Sequence, residues 1–131
     1  MMGILKASIF VLLVFSGLKV YSTPITVKNL SKKWHIDKYS YLIFSEEPGK
    51  KEVNDYIAFK EDMSFESVSE GRYDKGKWRL DTAKKRIFLA GEIEKGELIF
   101  MIHKLDNNQL ILIIDDPSEP GLEDIKIYFK S

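Results

Sequence analysis

Residues 55–81 read DYIAFKEDMSFESVSEGRYDKGKWRLD, and their reading decides the fold. Three short apolar or aromatic runs each give way to a polar turn. Ile57 and Phe59 share a face of the first run, Phe65 sits on the second, and Trp78 and Leu80 share a face of the third. Alternation of this kind marks strands with one face buried. Glu61-Asp62 and Ser69–Gly71 supply the turns between them. The stretch predicts three consecutive antiparallel strands.

The same rhythm runs outward in both directions. Upstream, WHIDKYSYLIF (34–44) predicts a long first strand. Trp34 and Ile36 fall on one parity and Tyr39, Tyr41 and Ile43 on the other, so a bulge near Asp37-Lys38 is needed to bring both sets to one side. Before it, Leu30–Lys33 predicts a helical turn that plugs one end of the core with Leu30. Ser45–Asn54 is a charged loop with a Pro-Gly turn. Downstream come RIFLA (86–90), ELIFMIHKL (97–105) and QLILII (109–114), the last two joined by Asp106-Asn107-Asn108, a hairpin signal. An acidic loop, 115–123, leads to IKIYF (125–129). No stretch after Ser22 shows sustained helical periodicity. The expectation is eight strands, near 34–44, 55–60, 63–69, 73–81, 86–90, 97–105, 109–114 and 123–130. The fold class is therefore all-β: an eight-stranded antiparallel up-and-down barrel whose first and last strands pair, with a two-sheet sandwich as the competitor.

The N-terminus predicts a targeting segment. Met1–Lys6 is positively charged, Ala7–Leu18 is an apolar run of twelve residues, and Val20-Tyr21-Ser22 places a small residue where cleavage would fall. That is the plan of a helical signal peptide at 1–22, followed by a single domain at 23–131. The run is too short to span a bilayer. Cleavage would leave 109 of the 131 residues and remove Lys6 and Lys19, turning 20 basic and 20 acidic groups into 18 and 20. The chain has no cysteine, which excludes disulfides, thiolate metal ligands and a lipidated cysteine. An exported chain of that composition points to a secreted or periplasmic bacterial protein with no stable membrane anchor after cleavage.

Several short motifs resemble the small lipocalin-like domains of exported Bacteroidetes proteins. They are Leu30 with Lys33-Trp34, Phe59–Asp62 followed by Phe65, Gly76–Asp81, Ile87–Leu89, and Lys104-Leu105 leading to Leu110–Leu112. The resemblance spans about Leu30 to Phe129. It implies an eight-stranded barrel with one open end and, in some relatives, a pocket for a small apolar molecule. The sequence departs from the pattern at Lys32, where a glycine is usual two residues before the tryptophan. It departs again at Met63, in a turn that often carries glycine. The cysteine of lipoprotein relatives is absent.

The candidate barrel lining is Tyr41, Phe59, Phe65, Trp78, Phe88 and Phe100. The same rings serve equally as plain core, because an eight-stranded barrel is just wide enough to be filled or to hold one small ligand. His35 and His103 lack a partner at metal-ligand spacing, so no metal or cofactor is expected. Asp115, Asp116, Glu119, Glu123 and Asp124 do not follow calcium-loop spacing. Basic residues are interleaved with acids, which argues against nucleic acid. No phosphate loop or nucleophile elbow occurs, so no enzymatic activity is expected. Two readings remain: a carrier of a small apolar or amphipathic ligand, or a filled barrel that works as a structural or protein-interaction module through its outer surface. The sequence names no protein partner.

Overall fold

The structure is a computed structural model that describes residues 23–131; the signal-peptide expectation for 1–22 lies outside the described residues. A short helix, α1 (Val27–Leu30), precedes nine strands: β1 (Lys33–Tyr41), β2 (Phe44–Glu46), β3 (Tyr56–Phe59), β4 (Ser64–Ser69), β5 (Arg72–Asp81), β6 (Arg86–Gly91), β7 (Glu97–Leu105), β8 (Gln109–Ile114) and β9 (Ile125–Lys130). All pairings are antiparallel. From β3 onward each strand pairs with the next. β1 pairs with β3, and it closes the ring on β9 from His35↔Lys130 to Tyr41↔Ile125. The eight strands β1 and β3–β9 thus form a closed up-and-down barrel, and β2 is a spur on β1.

The register slips between Ile36 and Lys38, which is the bulge required by the parity change in β1. It turns Tyr39 inward beside Ile36. A second slip falls at His103 in β7, which leaves that histidine on the exposed side.

The first strand ends sooner than its sequence suggests. Instead of running to Phe44, the chain reverses at Leu42-Ile43, and Phe44–Glu46 pairs back on Tyr39–Tyr41. Leu42 adopts φ 54, a left-handed conformation that costs a branched side chain strain. Residues 41–44 stay exposed, and Ile43 retains 91% of its free surface. The helical turn also sits three residues earlier than expected. Thr26 caps it, its hydroxyl accepting from the Asn29 amide at 3.1 Å.

The core occupies one end of the barrel. Leu30 and Trp34 are fully buried there, and the Trp34 indole donates to the Leu30 carbonyl at 3.0 Å. Lys32, the departure from the glycine pattern, lies over the Trp34 ring and donates to the Asn107 carbonyl at 2.8 Å. A long cation here thus latches the N-terminal segment to the β7–β8 turn. Across the barrel, Phe59 and Trp78 pack with ring centroids 4.9 Å apart, and the Trp78 indole donates to Lys60 O at 2.9 Å. Both tryptophans satisfy their one polar atom, as buried indoles must. Met63 takes φ 69 in the β3–β4 turn, the strain foreseen for a side chain at a glycine position.

Gly76 of β5 faces Gly91 of β6 in the ladder. A methyl group at Gly76 would stand 2.0 Å from the Ala90 carbonyl oxygen, so β6 crosses β5 here at a distance only glycine permits.

Candidate functional site

The inward residues change character along the barrel axis. The α1 end is packed solid by Leu30, Trp34, Phe59, Trp78, Leu110 and Leu112. The opposite end, where segments 42–55, 69–72, 91–97 and 114–125 connect strands, opens into a cavity of about 690 Å³. Ile36, Phe65, Leu89, Phe100 and Phe129 are buried residues that line it. Ile57, Leu98, Ile114 and Ile127 extend the apolar wall towards the mouth, and polar side chains cluster at the rim.

Strand parity places each of these. On β4, Phe65, Ser67 and Ser69 alternate inward, so small serines stand where large residues would fill the space. On β5, Gly76 and Trp78 point inward with Asp74 next in line at the mouth.

The expected lining residues divide three ways. Phe65 and Phe100 line the cavity. Phe59 and Trp78 face inward but belong to the packed end, below the cavity. Tyr41 and Phe88 do not line it. Tyr41 is half-exposed on the β1–β2 hairpin. Phe88 has the opposite parity to the buried Ile87 and Leu89 and sits on the outer face, covered by the Arg79 guanidinium 3.6 Å from its ring centroid. The alternation in Arg86–Ala90 already carried that signal for Phe88.

The rim is held by two aspartates that sequence reasoning did not single out. Asp74 accepts hydrogen bonds from the Ile93 amide at 3.0 Å and the Glu94 amide at 3.3 Å, which clasps the β6–β7 connection to β5. Those amides hold its carboxyl below the ordinary carboxylate value, the Ile93 bond foremost. Gly91 is needed here too, since a Cβ would meet Asp74 Oδ2 at 2.3 Å.

Asp55 is buried at the start of β3, with 9% of its surface exposed. Its backbone ties the Ile36 amide and the Glu52 carbonyl, and its Oδ1 accepts from the Glu70 amide at 2.8 Å. Burial, then the neighbouring Glu52 and Glu70 charges, push its carboxyl up from the ordinary value against the pull of that amide. Burial and the Glu52 carboxylate likewise push the Tyr39 hydroxyl up. The rim cation Arg72 is engaged by Glu94 at 3.2 Å.

Neither histidine joins a constellation. His35 stacks at a tilt on Tyr56 outside the barrel, with centroids 6.3 Å apart. Burial and the nearby lysines 126 and 104 push His103 down. Among the described residues, no three His, Asp or Glu side chains gather as a metal would need, and no helix is long and apolar enough to cross a membrane. The acidic 115–124 segment is occupied with its own turn, in which Asp116 accepts from the Ser118 amide at 2.9 Å and from its hydroxyl at 2.6 Å.

An eight-stranded meander, plugged by an N-terminal helical turn and a tryptophan at one end and hollow at the other, is the lipocalin-like barrel. Two solved structures are similar to it. A lipocalin-like protein from Bacteroides uniformis superposes with a TM-score of 0.55 at 18% identity, over 79% of this chain and 98% of that one. An uncharacterized protein from Bacteroides eggerthii gives 0.54 at 15% identity, over 78% and 98%. At such identities the likeness is one of fold. No family model matches the chain, and no curated protein is similar to it.

Proposed function

We propose that this is an exported, non-enzymatic binding protein that holds one small apolar or amphipathic molecule in the mouth-side cavity, after removal of residues 1–22. The observation that carries this reading is the hollow half of the barrel. Its 690 Å³ lies within the ~300–1,000 Å³ typical of ligand pockets, and a polar rim surmounts its apolar wall. A filled interior would have left no such room.

Two measurements test it. Titration with a neutral, environment-sensitive apolar fluorophore should show saturable one-site binding. Ser67→Phe, which puts a ring into the cavity from β4, should abolish that binding while the fold is kept. Unchanged binding in Ser67→Phe sinks the reading. Export is tested separately: full-length protein expressed in a Gram-negative host should appear in the periplasm or medium, with a mass corresponding to a chain starting at Thr23.

One observation favours the alternative of an interaction module. Tyr41, Leu42, Ile43 and Phe44 form an exposed apolar hairpin tip beside the mouth. Exposed apolar patches of this kind mark contact surfaces. A barrel that binds no small molecule, but loses a partner when Ile43 is made polar, would bear this reading out.

A further inference from the structure

The charges at the cavity mouth select among ligands. Asp55 lines the cavity and is buried, yet only one of its carboxylate oxygens has a protein donor, the Glu70 amide on Oδ1. The charges acting on it from Glu52 and Glu70 are of its own sign. Asp74 and Glu94 also line the mouth. The basic side chain among the lining residues, Arg72, is occupied by Glu94. A carboxylate set beside like charges, with one oxygen open at the cavity mouth, is best matched by a positive group. The ligand that compensates it brings a cation.

Resting on the proposed binding role, we propose that the ligand is an amphipathic molecule with a protonated amine: its apolar body fills the cavity and its ammonium donates to Asp55 Oδ2. A fatty acid of the same length would set its carboxylate against Asp55 and is disfavoured. The structural duty of Asp55, receiving the Glu70 amide, uses Oδ1 and leaves this one free. Tyr39, lining the cavity next to Ile36, adds a hydroxyl near the same rim.

The test compares a straight-chain primary amine, alcohol and carboxylic acid of equal length, each displacing the neutral fluorophore at neutral pH below its own aggregation concentration. The amine should bind at least ~10-fold tighter than the alcohol, as a charge-assisted hydrogen bond gives, and the acid weaker than both. Asp55→Asn keeps an oxygen for the Glu70 amide. It should bring the amine to within about threefold of the alcohol when both are measured on that variant. An alcohol that binds together with an acid that matches or beats the amine overturns the amine assignment and leaves the binding role standing. If neither the fluorophore nor any of the three ligands binds, the binding role fails and takes this inference with it. The wild-type ranking decides the matter even if Asp55→Asn does not fold.

Discussion

Gly76→Ala offers a sharp test of the barrel's geometry. A methyl carbon there would lie 2.0 Å from the Ala90 carbonyl oxygen, 3.0 Å from its carbon and 3.1 Å from the Gly91 Cα. Ordinary carbon–oxygen contacts are about 3.3–3.6 Å, so one strand must retreat by more than ~1 Å. The obstacle is backbone on both sides, and no rotamer change relieves it. Overpacking a well-packed site costs about 1–3 kcal/mol. The retreat also stretches the ladder at Gly76↔Gly91 and Lys77↔Ala90, at roughly 1 kcal/mol for each hydrogen bond weakened. The expected loss is about 3 kcal/mol, or roughly 12–24 °C in Tm for a domain of this size. Urea unfolding followed by tryptophan fluorescence reads it out, since Trp34 and Trp78 are both buried in the packed end. Gly49→Ala is the control: its new methyl would meet only the Glu52 side chain, at 3.4 Å. A loss below about 0.5 kcal/mol in Gly76→Ala, similar to the control, would refute the close crossing of β5 and β6.

Other outcomes follow from the same structure. Asp74→Asn should weaken the clasp on the β6–β7 connection and speed amide exchange at Ile93 and Glu94. Because the Asp74 carboxyl is depressed, its stabilising effect is complete above the ordinary carboxylate value and lost as pH falls through the folded value. Acid unfolding curves of wild type and variant should therefore converge only once the pH has fallen through that lowered value. Phe100→Ala, at a buried site, should cost about 3–5 kcal/mol by denaturant unfolding. Phe88→Ala, which loses an outer-face ring and its guanidinium contact, should cost much less. Glu70→Asn suits the two-residue turn, where Glu70 has φ 51 and Gly71 φ 80, and should stabilise the hairpin by about 0.5 kcal/mol. Ile43→Ser should leave stability within ~0.5 kcal/mol, because that side chain buries almost nothing.

The barrel was legible in the chain because each strand buries one face and period-two alternation records it. The bulge was legible because Trp34 and Ile36 differ in parity from Tyr39 and Tyr41, and only an extra residue reconciles them. The reversal at Leu42-Ile43 was not legible. It carries none of the Gly, Asn or Asp residues that announce such turns, and its apolar residues read as strand. Phe88 was misplaced by its chemistry although its parity was plain; the Arg79 side chain over its ring gives an aromatic residue a reason to face outward. The cavity was beyond sequence, because hollowness depends on which layer along the axis each inward residue occupies. Phe59 and Phe65 differ by six positions, yet one fills the plug and the other lines the hollow. Asp55 gave no sign, since an acid before a strand looks like any turn residue until its burial is known.

The unequal filling of the two halves separates two tasks that most small domains must share. Much of the cohesion comes from the tryptophan-sealed base and the buried ring layer above it, and the rim beyond Phe65, Phe100 and Phe129 is left freer to vary. Substitutions around the mouth can accumulate without melting the whole, provided the Asp74 and Asp55 tethers persist. Such a base can carry differently shaped rims above it without change to its own packing.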